Sequence, residues 1–247
     1  MSNNTSLAFG SGVLIGTTSA GPLQFGTLQD VSVDFSFSVK SLMGQYQFPV
    51  AVARAAGKIS GKAKFANIDG PILNTIFFGN TPATGQTLWS YNEGATVGAA
   101  SPYTATVANA ANFDENLGVA YASSGLQLTP VASSPAAGQY SVASGVYTFS
   151  SADAGKAVLI TYSYTQSVAG SKAVISNRLM GVAPTFQIDF YQTNPNVAGA
   201  QWSLRLYSCI SSKLTLASKL EDFTIPEMDF EAFANASNNI GQLNTAI

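Results

Sequence analysis

The chain of 247 residues contains no histidine. This absence removes every Ser-His-Asp or Cys-His catalytic arrangement, every histidine metal ligand and every histidine-based pH switch. The single cysteine, Cys209, can form neither a disulfide within the chain nor a cysteine-rich metal site. Its neighbours are typical of a strand, so we interpret Cys209 as a buried structural thiol rather than a nucleophile. The composition favours a protein that is not an enzyme and that needs no cofactor or metal.

Charged residues are also scarce. They make up 10% of the chain, against about 25% in average globular domains. The formal net charge is only −2, although aromatic residues reach 11%, so the composition is not that of a disordered chain. A surface with so little charge gives little protection against self-association. It suits a protein that is mostly covered by copies of itself.

Long hydrophobic runs and known ligand-binding motifs are missing as well. No run approaches the roughly 20 apolar residues of a membrane span, and the N-terminus lacks the basic and apolar regions of a secretory signal. No phosphate loop, dinucleotide fingerprint or EF-hand spacing is present. We therefore expect no membrane partner, and a chain that is made and assembled in a reducing cytoplasm.

The most informative stretch runs from residue 29 to residue 66. Its first part alternates apolar residues with polar ones, which predicts a strand with one buried and one solvent-exposed face. The apolar positions are Val31, Val33, Phe35, Phe37 and Val39. A second strand is predicted at 58–66. The connector between them is too long for a tight turn and contains Met43, Tyr46, Phe48, Val50 and Val52. Such an apolar tip makes sense if another subunit covers it.

One short helix is predicted between residues 67 and 79. Asp69 is a candidate N-cap, Pro71 lies in the first turn, and Gly79 is a stop signal. The apolar residues at helical spacing, which predict the buried face, are Ile72, Leu73, Ile76 and Phe77.

Short strands separated by glycine- and serine-rich turns fill most of the remaining chain. The predicted fold class is therefore all-β, mainly an antiparallel sandwich or barrel, with one short helix. A loss of periodicity after residue 80 indicates an insertion. We predict a β domain formed by residues 1–80 and 166–247, with N- and C-terminal arms, and an inserted β-rich subdomain at 81–165. The arm after residue 220 is predicted because its apolar residues are spaced too widely for a core strand.

Charge is segregated along the chain. The predicted hairpin is basic, with Lys40, Arg54, Lys58, Lys62 and Lys64. The tail is acidic, with Glu221, Asp222, Glu227, Asp229 and Glu231. We interpret these groups, together with Met43, Tyr46 and Phe48, as an intersubunit contact between the hairpin of one subunit and the tail of the next. Two independent solvated faces are an alternative. A nucleic-acid patch is a third, which the isoelectric point of about 5.0 disfavours.

Three segments resemble the tail tube (major tail) proteins of tailed bacteriophages. They are the hairpin DVSVDFSFSVKSLMGQYQFPVAVARAAGKISGKAKFA with the following IDGPILNTIFFG, the run LGVAYASSGLQLTPVASSPAAGQYSVASGVYTFSSADAGKAVLITYSYT, and the end WSLRLYSCISSKLTLASKLEDFTIPEMDFEAFANAS. The resemblance implies a tail-tube-like fold. Six subunits would form a ring, and the rings would stack into a hollow tube that conducts DNA, with the hairpin and terminal arms bridging rings.

The resemblance also implies partners and a location. The partners would be further copies of the chain, terminator and tip or baseplate proteins, and genomic DNA and tape-measure protein held in the lumen without specific binding. The location would be the virion tail, after assembly in the host bacterial cytoplasm. A conducting lumen needs polar or acidic walls, because cationic walls retain DNA by counterion release. The first long strand offers such a lining in Asp30, Ser32, Asp34, Ser36 and Ser38.

Other functions compete with the tube subunit. The chain could serve as another virion part, such as a decoration, head-completion or baseplate protein. A β-sandwich binding module, such as a lectin, would expose an aromatic residue such as Trp89 or Trp202 in a groove, whereas we expect both to be core or interface residues. A hydrolase without histidine would need a nucleophile beside a base, and no such pair stands out.

Overall fold

A computed structural model describes residue 10 and residues 12–67, 70–81, 83–193, 201–218 and 220–245. The predicted N-cap Asp69 and most of the predicted N-terminal arm lie outside these residues. The chain divides into two compact units, Met1–Pro82 with Ala173–Ile247, and Ala83–Lys172. The predicted end of the insertion at residue 165 falls inside a strand that continues to Lys172.

Over the described residues the structure is all-β, with mostly antiparallel pairing, one short α/π-helical segment and two single 3-10 turns, Ala110–Asn112 and Ser151–Asp153. The strands in chain order are β1 (Val13–Thr18), β2 (Gly21–Gln24), β3 (Leu28–Met43), β4 (Pro49–Phe65), β5 (Ala83–Thr96), β6 (Thr104–Thr106), β7 (Phe113–Tyr121), β8 (Thr129–Pro130), β9 (Gln139–Ala143), β10 (Val146–Phe149), β11 (Ala157–Lys172), β12 (Thr185–Thr193), β13 (Gln201–Thr215), β14 (Glu227–Ala232) and β15 (Gly241–Thr245).

The first unit is built on one antiparallel sheet. Its strand order is β2-β1-β12-β13-β14-β4-β3, and β15 also pairs with β13. Among the described residues β2 and β3 remain edge strands, so the sheet does not close into a barrel. The core lies on one face and is made of side chains such as Leu14, Phe65 and Ile188. Alternation along each strand places these residues on the same side.

The helix of the first unit covers this core. It begins as α1 (Gly70–Ile72) and continues as a π-helix over Leu73–Phe77. Ile72 and Ile76 are buried, as predicted, and a Cβ on Gly16 of β1 would lie 2.5 Å from the Ile76 side chain. Leu73 and Phe77 are only half-buried, and Asn74 is buried. The wider π turn changes the residue spacing from that of an α-helix, which is why the predicted face holds only in part.

Gly79 ends the helical segment, as predicted. Its φ angle is +62°, a left-handed conformation that residues with a Cβ rarely adopt. A Cβ there would also lie 2.9 Å from the Cβ of Pro184. Both the conformation and the close packing therefore require glycine.

The prediction that the chain after residue 220 is an extended arm is wrong for β14 and β15, because both are strands of the sheet. Strand β14 lies inside the sheet between β13 and β4, and Met228 and Phe230 are 2% and 1% exposed. Strand β15 pairs with β13 from Trp202 opposite Thr245 to Leu206 opposite Gly241. Acidic residues at every second position made the segment look polar on average. The period of two nevertheless directs the two apolar side chains between them to one face.

The predicted connector of the hairpin is also corrected. Strands β3 and β4 contain 16 and 17 residues, and only residues 44–48 join them. Val50 and Val52 therefore belong to a strand, and Met43 ends one. The register shifts between Phe37 and Val39 and again next to Met43, and such irregularities interrupt the alternation from which a strand is read.

The second unit consists of two sheets around one core. One has the order β5-β11-β7 and the other the order β6-β10-β9-β8, in which only the β8–β9 pair is parallel. Tyr140, Tyr147 and Tyr162 are fully buried between them. Asn116 links two of these rings, since its amide donates to the Tyr140 hydroxyl at 2.9 Å and its oxygen accepts from the Tyr147 hydroxyl at 3.1 Å. Burial of a tyrosine needs such a partner for its hydroxyl.

The buried thiol leads to a first prediction. Cys209 lies fully buried in β13, and burial raises its pKa to about 12. Because the thiolate is the reactive form, we expect iodoacetamide to leave the folded chain unmodified at pH 8. After denaturation the reagent should label one thiol per chain, as mass spectrometry can show. Rapid labelling of the folded chain would mean that this part of β13 opens.

Candidate functional site

The most unusual surface is the outer part of the long hairpin, residues 34–58, which we call the ribbon. Strand β14 pairs with β4 only from Ile59 to Lys64, so beyond Ile59 strand β4 has β3 as its only neighbour among the described strands. Every residue of the ribbon is exposed. An isolated two-stranded hairpin is marginally stable in water. The ribbon therefore gains little from the core of its own unit.

Large apolar side chains cover the ribbon. Their exposed fractions range from 51% for Phe37 to 81% for Phe48. The set consists of Phe35, Phe37, Val39, Leu42, Met43, Tyr46, Phe48, Val50 and Val52. Many exposed large apolar side chains on one segment are typical of interaction sites in soluble proteins. Met43, Tyr46 and Phe48 were predicted as intersubunit contacts, and that role stays a prediction.

Lys58 is the last residue of the ribbon, at the base of the hairpin, and two other predicted basic residues lie farther out on the ribbon. The Arg54 guanidinium stacks over the Phe37 ring at 4.6 Å. Lys40 is exposed on β3 opposite Ala53. Both present a positive charge among apolar neighbours, a combination that a carboxylate-bearing partner would complement. An intersubunit role for Lys40 and Arg54 stays a prediction.

The other three lysines lie at the base of the hairpin, where they pair within the chain. Lys58 contacts Glu231 at 2.7 Å and Lys62 contacts Glu227 at 2.8 Å. Longer contacts join Lys62 to Asp229 at 3.9 Å, and Lys64 to Glu227 at 3.7 Å and to Asp30 at 4.0 Å. The complementary charges that we predicted across two subunits thus face each other in one. The reason is that β14, predicted as an arm, is the neighbouring strand of β4.

Hydrogen bonding and charge tune this cluster. The hydrogen bond from Lys62 and the nearby positive charges lower the pKa of the Glu227 carboxyl. The same hydrogen bond, with the charge of Glu227, raises the pKa of Lys62. Both groups reach solvent, so the pairs contribute little net stability, and they set the register of β14 against β4 more than they strengthen the sheet.

The residues predicted to line a lumen lie on the same exposed face. In the register of β3 and β4, Asp30, Ser32 and Asp34 lie opposite Lys64, Lys62 and Ser60. Ser36 and Ser38 donate hydrogen bonds to the carbonyl oxygens of Lys58 and Ala56, each at 3.3 Å. The face is therefore of mixed charge, with more carboxylates than lysines, rather than purely acidic. Its position in a lumen stays a prediction.

The remaining predicted carboxylates do not join this face. Glu221 and Asp222 lie exposed in the segment between β13 and β14. The Asp222 carboxylate accepts a hydrogen bond from the Phe223 backbone N–H at 2.9 Å. An intersubunit role for this pair stays a prediction.

A groove of about 730 Å³, with both polar and apolar side chains in its lining, lies beside the base of β3. Val33 and Phe35 line one side, and Phe190, Trp202 and Leu243 line the other. The Trp202 ring packs edge-on against Phe190 at 5.0 Å, and its Nε1–H donates to the side-chain oxygen of Gln192 at 2.9 Å. This fits the expected core or interface role of Trp202.

Trp89 behaves differently, because it is not a core residue of the second unit. Its side chain on β5 is 76% exposed, and that of Tyr91 is 81% exposed. Trp89 was named only as the exposed aromatic residue that a β-sandwich binding module would need, and Tyr91 was not considered. The period of two places Trp89 and Tyr91 on the same strand face, but the residue types alone do not show that this face is the exposed one.

Sequence reasoning also missed a buried carboxylate in the second unit, that of Asp153. Its Oδ1 accepts from the Tyr121 hydroxyl at 2.6 Å and from the Lys156 ammonium at 2.7 Å, and its Oδ2 accepts from the Gly138 N–H at 3.0 Å. Burial alone would raise the pKa of Asp153, but these hydrogen bonds lower it overall. The spacing of Ser150 and Asp153, typical of a helical cap, was the available signal. The carboxylate is used by structural donors, so it is not a free acid or base.

Metal and membrane features are not found in the described part of the chain. No group of three or more acidic or cysteine side chains there could hold a metal ion. None of the helices described here has the length and apolar character to cross a bilayer.

No model of a known protein family matches the chain, and no curated protein matches it either.

Proposed function

We propose that the chain is the structural subunit of a bacteriophage tail tube, forming stacked and hexameric rings around a lumen that conducts DNA. The proposal combines the resemblance described above with the need of the ribbon for a covering partner. It makes identical copies of the chain the main partner. DNA and tape-measure protein pass through the lumen without specific binding, and the assembled form resides in the virion tail.

The observation that carries the proposal is the exposed ribbon. A monomer would leave its apolar side chains in water at a cost of about 25 cal/mol for each Å² of apolar surface. It would also leave β3 as a long unpaired edge, which is a hazard for uncontrolled association. A ring of identical subunits removes both problems, because each ribbon and each edge then meets a defined partner.

Other exposed apolar residues support a protein that is extensively covered in its working state. Between β11 and β12, Ile175, Leu179 and Met180 are exposed, and between β13 and β14 so is Phe223. These segments lack regular structure, so they add contact surface at more than one place. A face of mixed charge beside the ribbon is compatible with a wall along which DNA slides, since it offers no dense cationic surface.

The experiment is electron microscopy of the purified full-length chain, with sedimentation velocity over a range of concentrations. We expect hollow tubes or six-fold rings. A chain that stays monomeric at high concentration, and also in the presence of the tail-tip proteins of its virion, would contradict the proposal. Discrete particles that cap or decorate other virion parts would instead support a decoration, head-completion or baseplate protein.

A variant of the ribbon gives the sharper form of this prediction. Replacing Tyr46 and Phe48 by serine removes exposed apolar area without touching the core, so we expect assembly to be lost while the circular dichroism spectrum stays unchanged. Leu126→Ser is the matched control, because Leu126 is 65% exposed in the second unit. If both variants assemble like the parent chain, the ribbon is not a contact between subunits.

A further inference from the structure

The outer face of the sheet β5-β11-β7 carries features of a ligand site. Trp89 and Tyr91 lie two positions apart on edge strand β5, so their Cα atoms are about 7 Å apart and their side chains leave the same face. In the strand register Trp89 lies opposite Ser163 of β11, and Ser163 lies opposite Glu115 of β7. A line across the sheet thus connects an exposed aromatic platform to an exposed carboxylate over roughly 10 Å.

The polar groups beside the rings are held in place by the fold. The buried Ser163 hydroxyl donates to Oδ2 of Asp114 at 3.1 Å. Asp114 and Glu115 are themselves exposed, as are Thr87 and Thr165, which lie opposite each other beside Trp89. The face therefore combines flat apolar surface with accessible hydroxyl and carboxylate oxygens.

We propose that this face binds a neutral saccharide. The face of an aromatic ring is electron-rich and attracts the polarised C–H groups on the flat side of a pyranose ring. Carboxylate and hydroxyl oxygens accept hydrogen bonds from sugar hydroxyls around that ring. The proposal concerns the second unit alone and does not rest on the tube function.

Two other ligand classes fit the face less well. A nucleic acid would need cations beside the aromatic platform, whereas the lysines of the described second unit are Lys172, at the far end of β11, and Lys156, which is engaged by Asp153. A protein partner would favour apolar neighbours around the rings, because charged residues are depleted from the centre of interfaces. Here the neighbours are threonines and carboxylates.

Binding can be observed through Trp89 itself. The chain has two tryptophans, so the variant Trp202→Phe leaves Trp89 as the only one. We would titrate this full-length variant with maltohexaose, cellohexaose and chitohexaose and record its tryptophan fluorescence. The proposal expects a saturable change with at least one of these oligosaccharides. No change with any of them would overturn it.

Substitutions then locate the site by calorimetry on the full chain. Trp89→Ala should weaken binding by about tenfold or more, as for an aromatic anchor, and Trp89→Phe should keep part of it. Phe223→Ala is the matched control, since Phe223 is an exposed aromatic residue of the first unit, and it should bind like the parent. Equal affinity of Trp89→Ala and the parent would overturn the proposal. So would loss of self-association in Trp89→Ala without any saccharide binding, because the face would then be a protein contact.

Discussion

Replacing Asp153 by alanine is expected to lower the free energy of unfolding of the second unit by about 3 kcal/mol. The change leaves the N–H of Gly138 and the hydroxyl of Tyr121, two half-buried residues, without the buried carboxylate that both contact. The Lys156 ammonium adds less to this loss, because its side chain is 49% exposed and can turn to solvent. Most of the loss of stability therefore comes from the Gly138 N–H and the Tyr121 hydroxyl, which lose their acceptor.

A graded series tests the cause. Asp153→Asn keeps one acceptor oxygen and should cost only about 1 kcal/mol, similar to Tyr121→Phe, which removes one hydrogen bond. Glu115→Gln neutralises an exposed carboxylate of the same unit and should change stability little. Hydrogen exchange of the amides of β9 to β11 measures the stability of this unit separately from that of the first. Equal protection in Asp153→Ala and Glu115→Gln would contradict the structural role of the buried carboxylate.

The Asp153 carboxylate also makes the stability of the second unit depend on pH in the acid range. Burial raises and hydrogen bonding lowers the pKa of Asp153, and the net pKa lies below the ordinary value of 3.8. A carboxyl whose pKa is lower in the folded chain stabilises it fully above the unfolded value, and the contribution is lost as the pH falls through the folded value. The difference between the parent and Asp153→Ala should therefore be constant near neutral pH and shrink below pH 3.8.

Replacing Phe230 by alanine is expected to destabilise the first unit by about 4 kcal/mol. Phe230 lies in β14 with its ring directly over Gly61 of β4, where a Cβ would be 2.2 Å from the ring. Only a glycine leaves room for this contact between the strands. The truncation removes a fully buried aromatic ring from the centre of the sheet and opens a cavity that neighbouring strands cannot fill without losing their pairing.

Urea denaturation of the full chain, followed by Trp202 fluorescence in a Trp89→Phe background, measures this effect. Phe223→Ala is the control, because Phe223 is 88% exposed in the segment before β14, and its removal should be nearly neutral. Similar midpoints for Phe230→Ala and Phe223→Ala would mean that residues 227–232 form an arm, as their composition alone suggests, and not a central strand. Because the Phe230 ring packs on Gly61 in the unsubstituted chain, we expect Phe230→Ala to unfold at a clearly lower urea concentration than Phe223→Ala.

The ribbon links stability to function. Its strands pair with each other and with little else, so in the proposed tube the free energy that orders the ribbon would come from neighbouring copies. Variants of the core, such as Phe230→Ala, should weaken the monomer and the assembly together. Variants of the ribbon should weaken the assembly alone. This separation is the practical test of whether the exposed apolar surface exists for self-association.

Local patterns were sufficient for part of this structure. The alternation from Val31 to Val39 predicted a strand, the signals around Pro71 and Gly79 predicted the one helix, and the frequency of short strands predicted an all-β fold. Each of these depends on residues close in sequence, because a strand face or a helix stop is set by spacing and backbone conformation. The absence of histidine likewise needed no structure to limit the possible chemistry.

Only the tertiary structure decided which strands are neighbours. Charge segregation was visible in the sequence, but pairing Lys62 with Glu227 inside one chain required β14 to lie beside β4, which no local pattern encodes. Asp153 is buried and Trp89 is exposed, although the opposite is usual for these residue types. Here too, contacts between residues distant in sequence are responsible. A carboxylate is buried where donors from Tyr121, Gly138 and Lys156 converge, and an aromatic ring is exposed where a strand turns one face away from its core. The pairing of strands that are distant in sequence, rather than residue type, therefore decides that Asp153 is buried and that Trp89 is exposed.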